Sequence, residues 1–450
     1  MTRLIYFCIF IFSVSVFNSC TADELIRTST PYQIDTPRDA YWAGLDSTGL
    51  SKTQMVKDWQ RAAQRAFYDS VEVTPPFREI GFFKAEVPQA LSYRLDLKTG
   101  ERVQISLSTQ PDSTLFFVDF FRLVPTDSSD YYQHLFSAEN YQTDSLAYEI
   151  RDDGTYLLRI QPELLVTCRF TLEIISQPAY GAFPVKGKDN TDIWSSFGDP
   201  RDGGRRTHKG IDIFARRGTP IIAAVDGRIR TVRDTGLGGK QVWLYDQARR
   251  QSLYYAHLDQ QLVEKDQMVQ VGDTLGTVGN TGNARSTRPH LHFSIYRRGY
   301  GAIDPKPFVA YRNKKAPRVN ADLNPLGEIA RVRTSTAALR KAPQRRAAVV
   351  EKLERHLPVE IIAGNKNWYR VRSQNGQTGY LQVTEVENLD LPISTQNLKQ
   401  GATLLLAPDT SALGLQKLAT GTPIEVIGEN GAFKLVRDSS NLQGWVRLSI

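Results

Sequence analysis

Cysteine is nearly absent from this 450-residue chain: three occur, at positions 8, 20 and 168. That leaves no framework of pairs from which disulfides could be built. Stability must come from burial, and at ~150 residues per domain the chain has room for about three cores. Cys168, on the apolar run Leu164 to Ile175, reads as a small core residue. Apolar runs of membrane-spanning length are missing too. The run Leu4 to Phe17 has 14 residues, short of the ~20 that a bilayer demands. With 41% hydrophobic and 23% charged residues, the composition excludes a disordered tail, a collagen-like repeat and a multi-pass membrane protein. Histidine is scarce as well, with six in the chain.

What is there begins with charge. The net charge is +8, unevenly spread. Residues 20–176 carry 15 basic and 23 acidic side chains, residues 177–311 carry 20 and 13, residues 312–356 carry 12 and 4, and residues 357–450 carry 8 of each. The excess positive charge therefore belongs to the middle of the chain. No nucleic-acid motif accompanies it, so nucleic acid is not the expected partner. A polyanionic polymer or lipid headgroup is one reading of that charge. An acidic N-terminal module meeting a basic neighbour in the same chain is the other.

At the N-terminus, Arg3 precedes the apolar run, which ends in Asn18-Ser19-Cys20. This is the pattern of a secretion signal. A cysteine after a small residue, followed by Thr21-Ala22-Asp23-Glu24, resembles a bacterial lipoprotein box, although Phe17 stands where Leu is usual. The resemblance implies cleavage before Cys20 and lipidation of its thiol. The mature chain would be exported and held to a membrane of the cell envelope by a lipid anchor, with the outer membrane and periplasm as the default. The alternative is an ordinary signal peptide cut nearby.

The patterning predicts a mainly β chain. After the signal (1–19), residues 20–76 read as a tether ending in one short amphipathic helix, with Met55, Trp59, Ala62, Ala63 and Phe67 near helical spacing. Residues 77–176 read as a β-sandwich. Tyr93, Leu95 and Leu97 alternate, as do Val103, Ile105 and Leu107, and turn signals separate the runs. Its runs 100–107 and 154–160 are similar to the jelly-roll-like prepeptidase domains of secreted hydrolases. Residues 177–311 form a second, Gly-rich β domain, antiparallel, with Asp226-Gly227 as a hairpin signal. Residues 312–330 read as a basic linker. Beyond it an internal repeat appears at an offset of 65: Pro358-Val-Glu-Ile-Ile matches Pro423-Ile-Glu-Val-Ile, and Gly379-Tyr-Leu matches Gly444-Trp-Val. The two units, 331–388 and 389–450, resemble small bacterial SH3-like barrels.

Four of the six histidines fall between 208 and 292: His208, His257, His290 and His292. His134 and His356 stand alone and read as structural or solvated. In His208-Lys-Gly-Ile-Asp212, Gly210 between neighbours argues against helix. On a straight strand positions 208 and 212 would lie ~13 Å apart, too far for one metal. A bend at Gly210 would bring them together. His290-Leu291-His292 alternates on a strand, with both imidazoles on one face and Leu291 and Phe293 facing the core. His257 ends a third strand, 252–257. Two imidazoles and a carboxylate on one Zn²⁺, with a fourth position open, make a catalytic site. A closed site built from all four histidines would leave Asp212 without a use.

The runs 204–213 (GRRTHKGIDI), 255–258 (YAHL), 271–282 (VGDTLGTVGNTG) and 289–293 (PHLHF) look like those of M23 peptidases of the lysostaphin/LytM type, in order. The resemblance implies one Zn²⁺ per chain, held by His208, Asp212 and His292. It implies that His257 and His290 assist the water and the transition state, with the general base unassigned between them. It also implies hydrolysis of peptide crosslinks in bacterial peptidoglycan, the expected partner. Some members have lost these histidines and act as activators of other wall enzymes; a non-catalytic scaffold is therefore the alternative. Arg205 and Arg206 precede the first ligand and are candidates for a substrate carboxylate. Lys240 is a further candidate contact. Gly276, Gly279 and Gly282 are expected to shape a loop beside the site.

Overall fold

The computed structural model describes residues 36–127, 130–139, 145–311 and 315–447. The signal segment and Cys20 lie outside them. The fold is mainly β: an N-terminal sandwich, a central antiparallel domain and two C-terminal SH3-like barrels. Among the described residues no helix is long and apolar enough to cross a membrane.

In the sandwich, Leu91–Leu97, Gly154–Pro162, Phe116–Val124 and Tyr131–Glu139 form one sheet, and Phe77–Phe83, Cys168–Pro178, Glu101–Gln110 and Leu146–Glu149 form the facing one. Alternation turns Tyr93, Leu95 and Leu97 inward against Val103, Ile105, Phe170 and Leu172. Cys168 is buried in this core, and burial pushes its thiol up to about 12. It serves as a hydrophobe.

The expected helix is present as Gln54–Arg65, burying Val56, Trp59, Ala62 and Ala63. The preceding segment is not a plain tether. It holds a second helix, Pro37–Ser47, capped by the Thr36 hydroxyl, which accepts from the Asp39 N–H. Tyr41 of this helix packs on Trp59 and Phe117, with ring centroids 5.4 and 5.2 Å away. None of its residues is fully buried, so hydrophobic periodicity does not announce it. Thr36-Pro37 and Asp39, a cap with Pro and an acid in the first turn, were the available signal.

Residues 315–330 also depart from expectation. Ala321 and Leu326 are buried in the first barrel, with Val319 and Leu323 packed beside them. The basic residues before them, Lys315 and Arg318, and the intervening Asn320, Asp322 and Asn324 hide that alternation in sequence. The repeat is reproduced as structure: Pro358–Asn365 and Thr378–Gln382 recur as Pro423–Asn430 and Gln443–Arg447. The second barrel docks on the first through Glu429 N–H to His356 C=O (2.9 Å) and Arg331 Nη1 to Ile427 C=O (3.1 Å).

Sandwich and first barrel share a sheet. Phe77–Phe83 pairs with Cys168–Pro178 on one edge and with Pro358–Asn365 on the other, Ile80 opposite Gly364 and Gly81 opposite Ala363. A polar cluster sits under this seam. The Glu79 carboxylate accepts from the Tyr93 and Tyr380 hydroxyls, each at 2.7 Å, and lies 3.6 Å from the Arg370 guanidinium. All four side chains are buried.

The central domain is built on a sheet in the order Ile193–Ser195, Ile211–Phe214, His290–Arg297, Gln251–Ala256, Lys240–Asp246, Gly227–Asp234. One face carries Ile211, Ile213, Leu253, Tyr255, Leu291, Phe293 and Ile295 into the core. Asp226-Gly227 is not a hairpin turn. Pro220–Ile222 before it pairs with Thr274–Val278 in a separate three-stranded sheet, while Gly227–Asp234 joins the main one. Gly276 therefore lies within a strand.

The acidic sandwich does meet the basic domain. Arg249 grips Glu149 through Nε (2.7 Å) and Nη2 (2.9 Å), and Arg297 Nη1 donates to the Arg151 carbonyl (2.7 Å). Gln251 and Arg297 face each other at one end of their strands; Ala256 and His292 face each other at the opposite end.

Arg370→Ala leaves the Glu79 carboxylate buried without its cation, at an expected cost of about 3–5 kcal/mol. The double variant Glu79→Gln/Arg370→Met loses much less. Urea midpoints of the two proteins test this, and equal losses would contradict it.

Candidate metal centre

Register assembles the centre. Asp212 stands opposite His292, and His292 stands opposite Ala256, which precedes His257. Phe214 stands opposite His290. Three adjacent strands thus present one carboxylate and three imidazoles on the face away from the core. Leu291 and Phe293 are fully buried on the other face, as alternation requires.

His208 arrives from a different direction. The chain bends at Gly210, between the short strand Arg206–Thr207 and Ile211–Phe214. A Cβ at Gly210 would collide with the Phe293 carbonyl and the Ser294 hydroxyl. Only glycine lets the backbone pass that close. The bend brings His208 Nε2 to 3.0 Å from Asp212 Oδ1. His292 Nδ1 lies 2.8 Å from the same oxygen and 2.9 Å from His208 Nε2. These three atoms form a compact group.

Second partners decide which ring nitrogen faces inward. His208 Nδ1 donates to the Ser196 carbonyl (2.8 Å), so Nε2 keeps its lone pair for the centre. His292 is turned the other way: Nε2 lies 2.9 Å from the Ser294 hydroxyl and Nδ1 points in. Asp212 offers Oδ1, while Oδ2 is held by Arg201 Nη2 at 2.9 Å. Three electron-pair donors converge with their flanking positions already engaged, and a cation suits that arrangement. Donors bound to zinc at about 2.0–2.2 Å stand roughly 3 Å apart, close to the spacing here.

Burial would raise the Asp212 carboxyl, but the close His208 and His292 rings outweigh it and hold the group far below the usual carboxylate range. His292 is lowered, first by burial.

His257 and His290 sit beside this trio. Their ring centroids are 5.0 Å apart, and His257 is 5.9 Å from His292. His257 Nδ1 donates to the Thr281 carbonyl (2.9 Å) and His290 Nδ1 to the Arg288 carbonyl (2.8 Å). In each ring Nε2 is thus the nitrogen left over for the centre. Burial, with His290 and His292 nearby, pushes His257 down to about 4. His257 lies one residue past its strand, with φ of 68°, a left-handed conformation that a non-glycine residue holds only where its surroundings impose it. Its N–H donates to the Gly238 carbonyl (2.9 Å). Gly239 and Gly282 pack backbone to backbone next to it.

The other sequence candidates fall outside the cluster. Arg205 and Arg206 are exposed, and Arg206 pairs with Asp202. Lys240 Nζ donates to the Asp259 carbonyl (2.8 Å) and ties down the wall behind His257. The arginine that reaches the centre is Arg201, which residue type and spacing did not single out. Ser294 and Tyr254 were also missed. Both follow from alternation: Ser294 is two residues beyond His292, and Tyr254 lies opposite it. Tyr254 stands edge-on to His292 (5.9 Å) and against Trp243 (4.5 Å). Across the site, Trp194 stacks on Phe214 (4.7 Å) and Phe214 on His290 (4.9 Å). His134 is exposed beside Ser137, and His356 lies at the barrel junction, 3.5 Å from Glu429.

Comparison with known proteins settles the type of domain. The model of peptidase family M23 matches residues 206–305, spanning all four clustered histidines and Asp212. Residues 206–305 are a peptidase family M23 domain. The bacterial SH3 domain model matches residues 333–388. Over 139 residues the chain is 32% identical to the L-Ala--D-Glu endopeptidase of Bacillus subtilis, covering 28% of this chain and 42% of that protein. Over 103 residues it is 37% identical to the peptidoglycan DD-endopeptidase ShyC of Vibrio cholerae, covering 22% of each. The chain thus spans between about a fifth and two fifths of these relatives. Among solved structures, a zinc-containing peptidase from Vibrio cholerae aligns at 29% identity, over 31% of this chain and 42% of that one, with a TM-score of 0.26.

His257 gives the M23 domain a measurable pH response. Its imidazole is lowered from about 6.5 to about 4 on folding, so between those values the unfolded chain binds more protons. In chelator-treated protein, its contribution is lost as pH falls through that window, on the order of 2–3 kcal/mol. His257→Gln should flatten the fall. Urea midpoints between pH 7 and 4 that decline equally in both proteins would refute this.

Proposed function

We propose that this chain is a zinc-dependent peptidoglycan endopeptidase of the bacterial cell envelope. The observation that carries the reading is the convergence of His208 Nε2, Asp212 Oδ1 and His292 Nδ1, with two further imidazoles turned toward the same space. The M23 match and the endopeptidase relatives support peptidoglycan as the substrate. The lipoprotein-like start of the sequence supports an anchored, exported protein.

In this reading His208, Asp212 and His292 hold one zinc ion. When bound, zinc polarises the scissile carbonyl and brings the pKa of its water to about 7. The chain's own residues do the rest. Asp212 supplies one negative charge, and Arg201, holding Oδ2, leaves Oδ1 as the oxygen that faces the centre. Ser196 and Ser294 fix the two ligand rings. His257 is neutral at pH 7, so its free Nε2 can take a proton from the attacking water and return it to the departing amine. His290, held flat against Phe214, presents the same atom beside it. Trp194 and Phe214 on one side and Tyr254 and Trp243 on the other wall the space and reduce its water. The barrels, placed on the far side of the sandwich seam, are wall-binding units in this reading.

Digestion of purified sacculi tests the proposal. Wild type should convert crosslinked fragments to monomers. His208→Ala and chelator-treated wild type should be slower by roughly a hundredfold or more. Equal loss of crosslinks with wild type and His208→Ala would sink the metal mechanism. No loss with any preparation would favour a non-catalytic scaffold.

A further inference from the structure

Arg201 uses one corner of its guanidinium on the metal centre. Nη2 donates to Asp212 Oδ2 and to the Ser195 hydroxyl, and both contacts leave from that nitrogen. Among the described residues no acceptor is paired with Nη1 or Nε, and 32% of the side chain remains exposed. The fork is held in place on one side and open on the other. The surrounding segment adds positive charge: Arg205 and Lys209 are exposed on the same stretch, and Arg285 and Arg288 on the loop before His290. Acidic side chains nearby are already engaged, Asp199 by Ser195 and Ser196, and Asp202 by Arg206.

We propose that the open edge of Arg201 is the receptor for a substrate carboxylate, the one borne by the carbon attached to the scissile nitrogen. This rests on the endopeptidase reading and narrows it to one class of bond. The covalent path from a scissile carbonyl carbon through nitrogen and α-carbon to such a carboxylate is about 4 Å. Arg201 is one carboxylate removed from the ligand atom Asp212 Oδ1, so its free edge lies within about 7–9 Å of the point where the ligands converge. A carbonyl placed at that point carries its neighbouring carboxylate toward the guanidinium, whose planar fork suits two parallel hydrogen bonds. Crosslinks in which the nitrogen-side residue keeps a free α-carboxylate satisfy this. An internal glycyl bond carries no such group and does not. Because the same guanidinium holds Asp212, carboxylate capture and ligand geometry are linked through one side chain.

The test uses paired probes, an acyl-D-alanyl-D-amino acid ending in a free carboxylate and the same compound as its amide. Titration into chelator-treated full-length protein reads binding without catalysis. The carboxylate should bind at least about tenfold more tightly, and Arg201→Gln should erase the difference. Arg201→Lys, which keeps the charge but not the fork, should retain part of it. Equal affinity of wild type for both probes overturns the proposal, as does discrimination that survives Arg201→Gln. The wild-type comparison stands even if a variant fails to fold. Discrimination in binding with no cleavage of sacculi would sink the endopeptidase reading alone; cleavage without discrimination would sink this one alone.

Discussion

The pairing of Asp212 with His292, and of His292 with Ala256, is the constraint on which the site depends. Shifting either pairing by one residue would send His292 into the core and bring Leu291 or Phe293 out. The register is enforced by apolar burial on the opposite face, where Ile211, Ile213, Leu253, Tyr255, Leu291 and Phe293 interlock. The polar centre is therefore held by hydrophobic packing it does not itself contribute to. Its own contribution is local: carbonyls of Ser196, Thr281 and Arg288 and the hydroxyl of Ser294 rotate the rings, and Arg201 confines Asp212. Apart from Ser294, which shares the strand His290–Arg297 with His292, those partners come from loops and an edge hairpin, so the sheet sets position and the loops orient the rings.

This division explains what could be read from sequence. The His290/His292 alternation and the need for a bend at Gly210 were legible because strand period and glycine sterics are local rules. The β-sandwich was legible for the same reason, and the two barrels through their internal repeat and its resemblance to SH3-like units. Arg201 was not, because its role depends on a short hairpin folding it back over Asp212, eleven positions later. Arg205 and Arg206 are closer in sequence to His208 but point to solvent. Lys240 donates one of its three ammonium hydrogens to the Asp259 carbonyl, a contact its position in sequence did not show. The helix Pro37–Ser47 escaped notice because it lies on a surface with few buried contacts and shows its caps more clearly than its periodicity. Residues 315–330 escaped because their charges outnumber the alternating Val319, Ala321 and Leu323.

The uneven charge resolves into two uses. Part of the central domain's positive excess is neutralised by the sandwich, where Arg249 meets Glu149. That contact lies at the Gln251/Arg297 ends of the strands, away from the histidines. Positive groups around the centre, Arg201 among them, remain open, so the sandwich leaves them available.

The sheet shared by Phe77–Phe83 and Pro358–Asn365 gives the molecule a connectivity different from its covalent order. The central domain is an insertion within a single β framework. Its two ends leave side by side, with the Tyr180 N–H on the Phe308 carbonyl. The barrels are accordingly attached twice, once by chain and once by main-chain hydrogen bonds. A break in the chain just after the central domain would sever the covalent attachment and leave the β seam and its buried Glu79–Arg370 cluster in place. Pulling on the barrels would then load the sandwich directly, and the domain that holds the histidines would hang outside the line of force.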